Sequence, residues 1–229
     1  MRREQLRVVT VETVGAYRLL RLGRGALDPG RPGQFFMIEA PGRTLPRPFS
    51  LCLAPPGELA FLIDAVGPGT RAICAVEPGD RLAVLGPLGN GFDLTRTDLE
   101  PLLVGGGIGI APFPYLLERL GRGRAVLGFR TAEHAEAAAL VPGAEIVLAP
   151  QLVTEALPPA PQGVFACGPE PMLRAVAALA PDAQLAWEAP MACGFGACYG
   201  CAVSIDGHYR RLCVDGPVLQ ETIPGRAAA

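Results

Sequence analysis

The sequence predicts a small antiparallel β-barrel, then a parallel α/β sheet, then a short cysteine-rich clip. Three observations predict this. The first third alternates short apolar runs with Gly/Pro turns. Beyond about residue 100, apolar strands alternate with helical segments. Four of the seven cysteines crowd into the 21 residues from Cys193 to Cys213. The units read as 1–97, 98–185 and 186–229, with the first boundary in the polar run Thr95–Glu100.

In chain order, the barrel strands are Arg7–Val14, Tyr17–Leu22, Gln34–Glu39, Pro48–Leu53, Glu58–Val66 and Arg81–Leu85. Asp28-Pro29-Gly30, Arg31-Pro32-Gly33, Pro56-Gly57 and Pro78-Gly79-Asp80 punctuate them. One short helix fits at Thr70–Val76, and many short strands around a single helix suggest a closed barrel. The α/β unit opens with strand Leu102–Val104, a glycine loop and helix Ala111–Leu120. Strand Ala125–Phe129, helix Glu133–Leu140 and strand Glu145–Leu148 follow, then strand Val164–Cys167, helix Glu170–Leu179 and strand Gln184–Trp187. The tail carries the cysteines and a hairpin, Ala202–Ile205 and His208–Leu212 around Asp206-Gly207.

Composition narrows the function. The 229 residues are half hydrophobic, enough for a core, and leave no room for an independent substrate domain. The 20 basic residues are all arginine against 22 acidic ones. Lysine is absent, which excludes a lysine Schiff base and a P-loop. The arginines are scattered, so no nucleic-acid footprint is expected. With only His134 and His208, a His-rich metal site and a Ser/His/Asp constellation are excluded. Both histidines read as surface or turn residues, and Glu133 and Glu136 as a solvated helix face. Charges recur after Met1-Arg2-Arg3, so no signal-peptide core follows, and the uncharged stretch Pro101–Leu117 is too short and too rich in Gly and Pro to span a membrane. A soluble cytoplasmic protein without membrane or nucleic-acid partners is expected.

The cysteine spacing is C-x4-C-x2-C-x11-C. Its first three members match the plant-type [2Fe–2S] ligand run, and Gly194, Gly196 and Gly200 between them would let amides turn toward sulfur at positive φ. Zinc is the alternative, although zinc ribbons carry two C-x2-C knuckles and this tail has one. Cys52, Cys74 and Cys167 read as small buried hydrophobes.

Four further motifs each have a bland reading. Gly105-Gly106-Gly107-Ile108-Gly109 lies between strand and helix, where a pyrophosphate can approach the backbone, or where glycines merely pack. Cys167-Gly168-Pro169 is a strand-end crevice or an ordinary turn. Arg47-Pro48-Phe49-Ser50 offers an Arg fork, an aromatic and a hydroxyl to a flavin, or is a surface strand start. Gly67-Pro68-Gly69-Thr70 is a phosphate-binding helix start or a simple N-cap. Trp187 is expected to pack between units.

In combination these motifs are far more specific. R-P-F-S, G-x-G-T, G-G-G-I-G-x-x-P and C-G-P, in this order over residues 1–185, resemble the ferredoxin-reductase-like flavoprotein superfamily. The run Met191 to Cys201, M-A-C-G-F-G-A-C-Y-G-C, with Cys213-Val214-Asp215-Gly216-Pro217-Val218, resembles the electron-transfer subunits of dihydroorotate dehydrogenase B. The resemblance implies an FAD-binding β-barrel, an NAD-binding α/β domain and a C-terminal [2Fe–2S] subdomain. It implies FAD contacts at Arg47, Pro48, Phe49, Ser50, Leu62, Ile63, Asp64, Gly69 and Thr70. Gly105, Gly106, Gly107, Gly109, Cys167, Gly168 and Pro169 would face the nicotinamide nucleotide, and Cys193, Cys198, Cys201 and Cys213 would ligate the cluster. Relatives often carry an aromatic–basic pair where this chain has Ile63-Asp64, so Asp64 is expected to contribute only its backbone or to point away. The implied activity passes electrons from a separate FMN-containing catalytic subunit, through the cluster and FAD, to NAD+ in pyrimidine (UMP) biosynthesis. The implied assembly is a heterotetramer with two copies of each subunit. Related subunits of sulfide, hydrogenase or ferredoxin–NADP+ systems share a similar tail and are the alternative. A zinc-clipped module without redox activity is a further one. Arg130 and Glu133 leave NAD against NADP open.

Overall fold

The computed structural model describes residues 1–95, 99–205 and 208–220. The expected 97/98 boundary and the Asp206-Gly207 turn lie outside the described residues.

The first unit is a curled six-stranded antiparallel sheet. Its strands are β1 (Arg2–Val14), β2 (Tyr17–Gly23), β3 (Phe35–Ile38), β4 (Arg47–Ser50), β5 (Glu58–Ile63) and β6 (Arg81–Leu88), in the order β4-β3-β6-β1-β2-β5. Strand β1 starts earlier than its charged N-terminus suggests, because residues 2–7 pair with β6 while their polar side chains face solvent. Its second half pairs with β2 after a register shift between Val8 and Thr10, and such a bulge bends a strand. The chain just after β4 returns to β5, Leu53 bridging Ala60, so the two edges of the sheet approach each other. Leu20, Leu22, Phe36, Ile38, Phe61 and Val84 fill the inside, with the Phe36 and Phe61 rings edge to face at 5.5 Å. The helix α1 (Pro68–Cys74) begins two residues before the expected start, since Pro68 supplies the fixed φ of a first helical turn.

The second unit contains β7 (Leu102–Gly106), β8 (Arg124–Phe129), β9 (Glu145–Leu148), β10 (Val164–Cys167) and β11 (Gln184–Ala186), mutually parallel. The expected single helix after β7 is divided: a 3₁₀ turn over Gly107–Ile110 precedes α2 (Phe113–Leu120), which ends at Gly121 in the left-handed conformation. The helix expected at 133–140 is likewise a short α3 (Ala132–Ala135) running into a 3₁₀ turn. Helix α4 (Glu170–Leu179) has the expected bounds.

The clip is a hairpin of β12 (Ala202–Ile205) and β13 (His208–Arg211), followed by β14 (Val218–Leu219). Strand β14 pairs antiparallel with β11, so the second sheet is mixed and not purely parallel, in the order β14-β11-β10-β7-β8-β9. Asn90, just past β6, ties the clip to the first unit: its Nδ2 donates to the Val214 and Asp215 carbonyls, both at 3.1 Å. One buried cluster joins Phe35, Met37 and Leu88 of the first sheet to Val104 and Leu185 of the second and to Cys201, Leu212 and Cys213 of the clip. Trp187 sits in that cluster, packing between units as expected. Among the described residues no helix is long and apolar enough to cross a membrane.

Candidate functional site where three units meet

In the second sheet, β7 lies between β8 and β10, and the strand order reverses there. Ligands of open α/β sheets bind outside the carboxyl ends of strands at such a switch point. Gly106 and Cys167 stand at those two ends. The loops are pressed together: a Cβ on Gly109 would collide with the Cys167 carbonyl and Gly168, and one on Gly106 would meet the Met172 sulfur at 2.7 Å. A cleft of about 520 Å³ opens here, lined by Gly106, Gly107, Gly109, Gly168 and Pro169, with Arg130 and His134 beyond them. Gly105 does not line it. A Cβ there would strike Phe113, Ile110 and Leu127, so this glycine lets the segment after β7 pack on the sheet.

A neighbouring cleft of about 250 Å³ is lined from all three units. Pro48, Phe49, Ser50, Leu62 and Asp64 come from the first, Ile108, Gly109 and Cys167 from the second, and Met191 and Pro217 from the clip. Ile63 faces the other way, fully buried, as strand alternation requires. Arg47 and the start of α1 lie beside this cleft. The Arg47 guanidinium covers Gly69 so closely that a Cβ there would come within 2.8 Å, and its Nη1 donates to the Leu45 carbonyl at 2.9 Å. The Thr70 hydroxyl bonds back to Gly67, accepting from its amide at 3.0 Å and donating to its carbonyl at 3.1 Å. The result is a ring-sized slot with a fixed cation at its rim, which fits a flavin with its pyrophosphate.

Asp64, Glu188, Ile108 and Gly109 line both clefts and so mark where they join. Glu188 is open to the clefts yet ringed by protein, and this burial raises its carboxyl above the usual range. Sequence reasoning missed Glu188, since nothing in its neighbourhood distinguishes it from a surface glutamate. It missed Tyr17 too. That residue comes from the first unit into the second cleft, where its ring and that of His134 meet edge to face with centroids 5.4 Å apart. Burial, then the charge of Asp64, pushes its phenol up to about 12, with Arg130 acting against them.

The clip brings its four cysteines together in two pairs. The Cys198 side chain lies close enough to Cys193 to act on its thiol. The Cys201 and Cys213 sulfurs are 3.2 Å apart. Burial raises the Cys193 thiol, but bonds from the Phe195, Cys198 and Ala197 amides and the Cys198 side chain outweigh it and bring the thiol to about 7. Burial, with the Cys201 thiol against it, pushes Cys213 up to about 12. Gly194 and Gly196 have φ of 80° and 88°, as the loop requires. Gly200 does not; the left-handed residue is Tyr199 at 58°, and it leaves the Gly200 amide donating to the Cys198 sulfur at 3.4 Å. Among the described residues no group of three or more His, Cys, Asp or Glu encloses a single ion. Two pairs of thiols fit a two-iron cluster, two per iron, better than one zinc ion.

The NADH-dependent reduced ferredoxin–NADP oxidoreductase structure has the same fold, with a TM-score of 0.81 at 24% identity over 96% of this chain and 90% of that one. Sheets, clefts and cysteine clip together have a ferredoxin-reductase-like fold. Residues 188–222 match the iron-sulfur cluster binding domain of dihydroorotate dehydrogenase B. The dihydroorotate dehydrogenase B (NAD(+)) electron transfer subunit of Geobacillus kaustophilus is 34% identical, over 95% of this chain and 96% of its own. That of Caldanaerobacter subterraneus is 36% identical, over 82% and 84%. The chain belongs to the family of dihydroorotate dehydrogenase B electron-transfer subunits.

Proposed function

We propose that this chain is the electron-transfer subunit of a dihydroorotate dehydrogenase B, carrying electrons from an FMN-containing catalytic subunit to NAD+ in pyrimidine biosynthesis. The cofactor set is FAD, a [2Fe–2S] cluster and NAD. One observation carries the reading: a single cleft is lined by the first sheet, the nucleotide crevice and the cysteine clip together. FAD exchanges hydride with nicotinamide and single electrons with an iron–sulfur cluster, so a position between the two is what its chemistry requires.

The chain's residues divide the work. Pro48, Phe49 and Ser50 hold the flavin ring, and Leu62, Ile63 and Asp64 form the strand behind it. Arg47, with Gly69 and Thr70 at the start of α1, meets its pyrophosphate. Gly105 seats the helical segment after β7, so that Gly106, Gly107 and Gly109 can admit the nucleotide from one side. Cys167, Gly168 and Pro169 close on it from the other, and Cys167 reaches the flavin side. Cys193, Cys198, Cys201 and Cys213 hold the cluster. No residue here is assigned to proton abstraction from dihydroorotate, which belongs to the catalytic subunit. Units 1–97, 98–185 and 186–229 serve FAD, NAD and the cluster in turn. Cys198 is exposed on the clip, and exposed Phe195, Tyr199, Tyr209 and Val214 lie on the same unit. That face receives the catalytic subunit, in a cytoplasmic heterotetramer with two of each chain.

Co-expression with an FMN-type catalytic subunit tests this. A co-purifying complex that forms NADH from dihydroorotate is expected. A chain that binds FAD and a cluster but forms no such complex would move the assignment to another redox partner.

A further inference from the structure

One wall of the nucleotide cleft comes from the flavin unit. Tyr17 opens β2, which pairs with β5 through Arg18–Ile63 and Leu19–Leu62, and β5 supplies Leu62 to the flavin cleft. The turn before Tyr17 is seated on α3: the Ala16 amide donates to the Glu133 carbonyl at 3.2 Å, and a Cβ on Gly15 would strike that same carbonyl. The ring is held as firmly, since Tyr17 is only 1% exposed and meets His134 edge to face. Its hydroxyl takes no part in that packing. It makes no hydrogen bond with any described residue, and it is not among the polar atoms sealed from solvent. It opens into the cleft beside the glycine loop, 3.8 Å from where a Cβ on Gly107 would stand. A pyrophosphate approaches the backbone at such a loop. Burial and the charge of Asp64 keep the phenol protonated against the pull of Arg130, so it presents an O–H donor. Phosphate oxygens are strong acceptors for such a donor.

We propose that Tyr17 is a nucleotide-binding residue contributed by the flavin unit, its hydroxyl donating to a phosphate oxygen of the dinucleotide at the glycine loop. The nucleotide site is then completed across two units, and the sheet that holds the flavin also grips the nucleotide. The proposal rests on the nucleotide reading of the cleft given above.

The test is equilibrium titration of the full chain, loaded with FAD and cluster, using NAD+ and ADP-ribose. The second ligand keeps the pyrophosphate and lacks the nicotinamide. Tyr17→Phe removes the hydroxyl and leaves the ring against His134. It should lower affinity for both ligands alike, about tenfold, with FAD content and melting temperature unchanged. The phosphorus NMR resonances of bound ADP-ribose should differ between parent and variant. Unchanged affinity in Tyr17→Phe, a loss confined to NAD+, or phosphorus resonances that do not move overturns the proposal while leaving the nucleotide site standing. A loss of affinity that comes with loss of FAD also overturns it, because Tyr17 would then serve only the packing of the two units. Failure of NAD+ and ADP-ribose alike to bind the parent chain overturns both readings.

Discussion

Gly109 lies where the two nucleotide loops touch, and its missing side chain is what allows the contact. Gly109→Ala places a methyl group against the Cys167 carbonyl, and neither loop can yield without moving its strand. We expect a cost of about 1–3 kcal/mol, visible as a melting temperature lower by several degrees. Nucleotide affinity should fall more than FAD content. Calorimetry and NAD+ titration check both. The cysteines give a second expectation. Cys193→Ser should abolish the visible and EPR absorption of the cluster while FAD remains bound, because the Arg47–Ser50 slot is built without the clip's thiols. Equal loss of both cofactors would contradict separate binding. At this scale the sequence was informative wherever chemistry fixes spacing, as in the four cysteines, and wherever only glycine fits, as at Gly109. It was silent on Glu188 and Tyr17, whose positions depend on how distant strands are brought together.

Among elements, those legible in advance are the ones stabilised locally. Strand β10 and helix α4 follow from an apolar run and a helical period flanking Gly168-Pro169, and both have the expected bounds. Strand β14 was not legible, because its two residues become a strand only by pairing with β11 across the clip. That pairing, and the parallel bridge from Asn90 to Pro217, fasten the cysteine loop to both sheets. Asn90→Ala removes two hydrogen bonds to the loop carrying Cys213, a loss of about 1–2 kcal/mol. The expected outcome is faster release of iron to a chelator, several-fold in rate, with FAD content unchanged. A release rate equal to the parent's would show that β14 alone holds the clip.

For the whole molecule, the sequence foretold three units in the right order but not how they close on one another. The curled sheet was legible as many short strands, whereas its curvature depends on the bulge in β1 and the Leu53–Ala60 bridge. The cleft between the units was not legible, since it is assembled from segments as distant as Pro48 and Pro217. It is also the centre of the functional account, in which flavin joins a two-electron carrier to a one-electron carrier. The most direct measurement adds excess NADH anaerobically to the full chain carrying FAD and cluster, and follows flavin absorbance and the EPR signal of the reduced cluster together. The account predicts flavin bleaching and appearance of the cluster signal, with the second lost when FAD is removed and the cluster kept. Reduction of the cluster by NADH in FAD-free protein would contradict the relay.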